Sequence, residues 1–399
     1  MRRDGSGLRP RRILSAVHVR LGGLFLLATV TTGCLCGTGG TVCAVAVANA
    51  SFDQFLAAPA AGLIPWIQTH YSRMVVYAPA FDRTLSWYPN GWVYKDMYAI
   101  HTGSSLAAER PDWILRDANG AALYIPYACA NGSCPQYAGD IGNPGFRARW
   151  ISDARATMRA GYQGIFQDDF NMRLQIGDGT GQLVPPINPR TRRPMTDDEW
   201  RRYMADFATE IRKAFPKAEL VQNQVYFFAS PSHPDVVRAT KQATHVWVER
   251  AFNDAGIVGG KGPYGFETLL AFVDAVHDRG VGTIEEIQTP TGPEYALACY
   301  FLTSTGADGL VNRYREWPNN WWAANDVDLG NPDWPKGRFG RTRWNGLFRR
   351  DFTRGVVLVN QPGSAAVTVN LGRAYERLDG TRITQVTIGP ADGVVLMAP

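Results

Sequence analysis

The chain has 399 residues, of which 45% are hydrophobic, 12% aromatic and 19% charged, with a formal net charge of +5. That length suits a barrel of about 250 residues plus an accessory module. The charge is confined to the start: the first fifty residues hold Arg2, Arg3, Arg9, Arg11, Arg12 and Arg20 against Asp4 alone, so residues 51 to 399 balance to about zero, which argues against a nucleic-acid partner.

The first fifty residues run from these arginines through an apolar stretch, Leu21 to Val30, to Ala48-Asn49-Ala50 ahead of Ser51. This is the order of a secretory signal, so residues 1–50 read as a signal peptide. Left uncleaved, "TTGCLCGTGGTVCAVAVA" extends the apolar run toward the roughly 20 residues that span a bilayer, and the same segment would tether the chain to a membrane. Arg11-Arg12 is a weak twin-arginine match and Thr32-Gly33-Cys34 a poor lipoprotein box. Either route places the rest of the chain outside the cytoplasm. Three of the six cysteines, Cys34, Cys36 and Cys43, lie in this leader. "CANGSC" encloses an Asn-Gly turn, so Cys129 and Cys134 are expected to close a small disulfide loop in an oxidising compartment. A metal site would need more ligands than the scattered histidines supply. Cys299 reads as a buried helical thiol.

Beyond residue 50, eight candidate strands follow in order: "RMVVYAPA" (73–80), "WVYKDMYAI" (92–100), "AALYIPY" (121–127), "GIFQ" (164–167), "ELVQNQVYF" (219–227), "THVWVE" (244–249), "GTIEEI" (282–287) and "GLVNRY" (309–314). Helical patterns lie between them. Asn143 before Pro144 is a candidate N-cap, and Thr196 with Glu199 a capping box. Trp200, Tyr203, Met204, Phe207, Ile211 and Phe215 then recur at helical spacing and give one apolar face. Alternating strands and helices predict a parallel sheet, and eight strands predict a (β/α)₈ TIM barrel over residues 51–335. After the Gly- and Pro-rich "GNPDWPKGRFG", short strands parted by turns predict a small antiparallel β-sandwich over residues 336–399.

In such a barrel the chemistry sits at the C-terminal strand ends. "GYQGIFQDDFN" delivers Asp168 and Asp169 to one, and strand alternation lets at most one of them point into the mouth. Other strand ends carry Asp82, Asp96, His101, Asn223, Glu249, Glu285, Glu286 and Arg313, and Trp317 follows the last. Many carboxylates with few histidines suit glycosidic-bond cleavage by a pair of acids. No G-x-S-x-G turn and no phosphate-binding glycine loop is present. Plainer readings stand beside these: the aspartates as turn caps, Glu249 paired with Arg250, Glu285 or Glu286 as a buried partner of an arginine, and the tryptophans as loop packing.

The stretches "GNPGFRARWISDARATMRA", "GYQGIFQDDFN" and "RDFTRGVVLVN...LDGTRITQVTIGPADGVVLM" resemble hypothetical glycosyl hydrolase family fifteen, and the chain is distantly similar to endo-α-1,4-polygalactosaminidases and the α-galactosidase superfamily. The resemblance implies a barrel glycoside hydrolase in which the strand-four acid is nucleophile or base, which nominates Asp168 with Asp169 as rival. It also implies a proton donor from a later strand: Glu249, with Glu286 or Glu285 as runners-up. Asp82, Asp96, His101, Asn223, Glu285, Arg313 and Trp317 are the expected substrate-binding groups. The expected substrate is a polysaccharide or glycoconjugate, with no metal or organic cofactor. A catalytically silent carbohydrate-binding barrel is the alternative.

Overall fold

The computed structural model describes residues 39–47, 56, 59–60, 62–287, 289, 292–314, 321–333 and 338–399. The leader arginines and Trp317 lie outside them. Eight parallel strands form one sheet in chain order: β1 (Val45–Val47), β2 (Arg73–Val76), β3 (Gly91–Asp96), β4 (Gly164–Asp168), β5 (Glu219–Asn223), β6 (His245–Val248), β7 (Gly282–Glu286) and β8 (Gly309–Val311). The ring closes where Ala44 bridges Leu310, whose backbone N–H donates to the Cys43 carbonyl at 2.9 Å. This is the (β/α)₈ barrel.

Among the described residues six helices lie between barrel strands: α1 (Leu63–His70), α2 (Pro144–Met158), α3 (Asp197–Ala214), α4 (Pro234–Thr240), α5 (Phe266–His277) and α6 (Pro293–Thr303), and a short one, Ser105–Glu109, lies between β3 and α2. The expected caps are formed. The Asn143 side chain accepts from the Gly145 and Phe146 backbone N–H groups, with Pro144 in the first turn. Thr196 and Glu199 bond reciprocally and fix the start of α3. That helix buries Trp200, Met204, Phe207 and Ile211 against the sheet.

One strand departs from expectation. Residues 121–127 do not enter the barrel; Ala122 and Tyr124 make isolated antiparallel bridges to Arg116, Tyr137 and Gly177. They belong to an excursion between β3 and α2 in which Ala99–His101 pairs with Gln136–Ala138 and the Cys129–Cys134 disulfide closes its loop. The alternation there is satisfied locally, between neighbouring loops. The eighth strand is β1, ahead of the boundary expected at residue 51. Because the shifts offset one another, "GIFQD" remains the fourth strand. Its Gly164 leaves room for β5: a Cβ there would lie 2.2 Å from the Glu219 carbonyl oxygen.

The barrel interior is filled by one side chain from each strand: Val45, Val75, Trp92, Phe166, Val221, Trp247, Ile284 and Val311. Below them, at the end where the strands start, Glu219 accepts from Arg73 Nε at 2.7 Å, Arg73 Nη2 at 2.6 Å and Trp92 Nε1 at 2.6 Å. That end is plugged, which leaves the opposite end as the mouth.

The C-terminal module is one six-stranded antiparallel sheet, with β9 (Arg341–Trp344), β10 (Leu347–Phe352), β11 (Gly355–Asn360), β12 (Val367–Glu376), β13 (Arg382–Ile388) and β14 (Asp392–Met397) in the order β9-β10-β11-β14-β12-β13. Val356, Leu358, Val394 and Leu396 meet Val369, Val386 and Ile388 of the β12–β13 hairpin inside the module. The alternate residues Val357, Val359 and Val395 pack with the α6 side chains. Burial on both sides explains why α6 has almost no polar face.

A chain that begins at Ser51 lacks β1, and with it the buried Val45 and the ladder to β2. Such a chain is expected to lose several kcal/mol and to melt well below one that begins at Gly39, read by circular dichroism.

Candidate active site

Strand alternation defines the next layer up. Two residues beyond the interior layer come Tyr77, Tyr94, Asp168, Asn223, Glu249, Glu286 and Arg313, at or just past the ends of seven of the eight strands. Four of the residues expected to matter, Asp168, Asn223, Glu249 and Asp96, meet here with Tyr94. Asn223 Nδ2 donates to Asp168 Oδ1 at 2.8 Å and to Glu249 Oε2 at 3.0 Å. Those two bonds share one nitrogen, so the two carboxyl oxygens lie no more than about 5.8 Å apart. The Tyr94 hydroxyl donates to Asp168 Oδ2 at 2.6 Å, and the Asp169 backbone N–H to Asp168 Oδ1 at 2.9 Å. Asp168 therefore has a donor on each oxygen. Glu249 is exposed.

The adjacent aspartates part company. Asp169 has φ 52°, in the left-handed region, which turns its side chain off the strand pattern. Its Oδ1 accepts from Asn171 Nδ2 at 3.0 Å. Trp200 Nε1 holds the Asn171 carbonyl at 2.8 Å, tying this corner to α3. Burial, and then the charge of Asp168, push the Asp169 carboxyl up to about 6. Asp96 is raised well above the carboxylate range, first by burial and then by the charges of Asp169 and Asp168. Its Oδ1 accepts the Tyr98 and Ala99 backbone N–H groups at 2.8 and 2.7 Å. Burial and the neighbouring carboxylates thus disfavour the charged forms of Asp96 and Asp169 beside Asp168.

Glu286 is in the same layer but is committed. It accepts from Trp247 Nε1 at 3.0 Å and pairs with Arg313 Nε at 2.8 Å. Glu285, one residue earlier, faces the other way, into the packing against α6. There it accepts the Thr303 hydroxyl at 2.7 Å, and burial pushes its carboxyl up to about 8. Asp82 accepts from the Tyr162 hydroxyl at 2.6 Å. Tyr162 immediately precedes β4, so Asp82 sits by the plugged end. His101 lies on the excursion opposite Gln136, apart from the acids. Tyr94 was legible as the period-two successor of Trp92 but carries no charge to draw attention. Among the described residues no group of three or more His, Cys, Asp or Glu is arranged to hold a metal ion.

Residues 72–356 match the model of hypothetical glycosyl hydrolase family 15. The chain belongs to that family. Among solved structures it is similar to the glycoside hydrolase domain of PelA from Pseudomonas aeruginosa, at 17% identity over 68% of this chain and 94% of that one, TM-score 0.42. It is also similar to an alpha-amylase from Lactobacillus plantarum, at 10% identity over 89% and 98% of the two chains, TM-score 0.47. An alpha-galactosidase from Thermus thermophilus is 13% identical over 79% of this chain and 65% of that one, TM-score 0.43. No curated protein matches. As a member of hypothetical glycosyl hydrolase family 15, the protein is an enzyme of O-glycosyl bond hydrolysis.

The buried Glu285 gives a pH test. Its folded-state value, about 8, is raised from 4.5, so the folded protein keeps a proton that the unfolded chain releases, and this group makes stability fall as pH rises between those values. Glu285→Gln removes the dependence. The melting temperature of the variant minus that of wild type is expected to grow from pH 5 to pH 8.

Proposed function

We propose that the protein is an exported, retaining glycoside hydrolase acting on a polysaccharide or glycoconjugate, with Asp168 as nucleophile and Glu249 as acid/base. One observation carries the reading: a single Asn223 amide nitrogen bonds both carboxyl groups. Retaining enzymes hold their carboxyls about 5 to 5.5 Å apart, whereas inverting enzymes need roughly 6.5 to 9.5 Å to admit a water. The limit of about 5.8 Å between the Asn223-bonded oxygens favours the first class.

The division of labour follows from the surroundings. Asp168, braced on both oxygens by Tyr94, Asn223 and the Asp169 N–H, attacks the anomeric carbon. Glu249, exposed and held by Asn223, gives its proton to the leaving glycosidic oxygen. That breaks the sugar bond and leaves a glycosyl ester on Asp168. Glu249, now a carboxylate, takes a proton from an incoming water, whose oxygen attacks the same carbon and frees Asp168. Asp96 and Asp169 are positioning residues that confine charge around the nucleophile. Glu286 with Arg313, and Asn223 through its carbonyl, line the mouth for sugar hydroxyls.

Export is supported by the leader pattern and by the Cys129–Cys134 disulfide, which suits an oxidising compartment. In this reading any cleavage falls ahead of β1, since Val45 belongs to the barrel layer. No helix among the described residues is long and apolar enough to cross a membrane.

Digestion of a glycan panel read by mass spectrometry, with wild type and variants side by side, tests the assignment. Asp168→Asn is expected to lower kcat by at least about 1,000-fold. Glu249→Gln should lose roughly 100- to 10,000-fold on natural glycans and much less on aryl glycosides, whose leaving group needs no proton. Asn223→Ala should fall between wild type and these. Wild-type rates in Asp168→Asn would overturn the reading.

A further inference from the structure

A cavity opens on the outer flank of the barrel, between β3, the excursion and α2. On β3, Trp92, Tyr94 and Asp96 face inward, so Lys95 faces outward, toward α2. Lys95, His101 and Gln136, with Phe146, Arg149 and Trp150 of α2, line about 250 Å³, and Tyr94 and Asp96 of β3 border the same space. Phe146 and Trp150 form a buried apolar floor, and Trp150 is fixed by its Nε1–H bond to the Asp96 carbonyl at 2.7 Å. His101 and Gln136, paired across the excursion, are at the open edge.

The charges lining this space do not balance. Asp153 gives both carboxylate oxygens to Arg149 Nε, each at 2.9 Å. The Asp96 carboxyl faces the barrel and is engaged by backbone N–H groups. Lys95 has no hydrogen bond or ion pair to any described residue; its ammonium lies 5.5 Å from the Trp150 ring centroid. Burial pulls its pKa down, with the charge of Asp153 as the opposing influence. A half-buried cation without an ion-pair contact, above an apolar floor and beside two polar side chains, has the chemistry that an acidic sugar complements.

We propose that this cavity is a second, non-catalytic carbohydrate site that binds the carboxylate of a uronic acid. Lys95 is its counter-ion, the sugar ring lies against Phe146 and Trp150, and His101 and Gln136 take hydroxyl groups. The occupant is a free uronate or a uronate residue within a glycan; both present the same carboxylate on the same ring. Asp168 does not line the cavity, so binding here does not use the nucleophile. His101, expected from the sequence to bind substrate, thereby contacts sugar away from the reacting bond.

Ligand-observed NMR and calorimetry on the Asp168→Asn protein, which holds glycans without turning them over, test this directly. Glucuronate and galacturonate are expected to bind in the millimolar range, with glucose and galactose at least tenfold weaker. An oligogalacturonide that binds tighter than the monomer would identify a glycan chain as the occupant, and equal affinity a free sugar acid. Adding Lys95→Met should weaken uronate binding at least tenfold, Lys95→Arg should largely preserve it, and His101→Ala, at the exposed rim, should weaken it severalfold with no loss of fold. The proposal is overturned if uronates do not bind, if neutral sugars bind equally well, or if folded Lys95→Met binds as tightly as its parent. Should Lys95→Met fail to fold, unchanged affinity in His101→Ala overturns it instead.

Discussion

Eight side chains, one per strand, fill the cross-section of the barrel, and this packed layer dictates where everything polar can go. With a period of two along each strand, the next inward residue stands above the layer, at the open end. The arrangement of Tyr94, Asp168, Asn223, Glu249, Glu286 and Arg313 is a consequence of that constraint. The Arg73–Glu219–Trp92 cluster seals the other end. The strand ends aim these groups, with Asp168 and Asn223 closing β4 and β5 and Glu249 one residue past β6, and the packed layer beneath fixes two carboxyls against one amide.

Crowding acids in one layer has an electrostatic cost, and the protein offsets it locally. Glu286 is neutralised by Arg313. Burial and the adjoining Asp168 charge raise the Asp96 and Asp169 carboxyls, which disfavours their charged forms. Asp168 and Glu249 share the Asn223 donor, which draws both toward one nitrogen while keeping their oxygens apart. Of the acids in the layer, only Glu249 is exposed, which suits the acid/base role proposed for it.

Much of this was legible in the sequence. "GIFQ" read correctly as the fourth strand, and alternation alone says that Asp168 and Asp169 cannot both point inward. The left-handed backbone that turns Asp169 aside was not legible, because aspartate adopts that conformation only when its surroundings demand it. The same parity separates Glu286, inward, from Glu285, buried against α6; the register needed to apply it came only from the interior layer. Strand β1 escaped notice since three residues of "VAV" in an apolar stretch look like any leader. Residues 121–127 misled for the opposite reason: a good alternating pattern was satisfied by neighbouring loops. Lys95 gave no signal, as an isolated lysine in a strand is ordinary until its partners are known to be engaged elsewhere.

The central claim is that Asp168 and Glu249 stand too close together for a water to sit between them and the sugar. The anomeric proton of the first product released from a glycan of known configuration, followed by NMR before mutarotation, measures this most directly. The close pair requires the product to keep the configuration of the bond cleaved; an inverted product would contradict it.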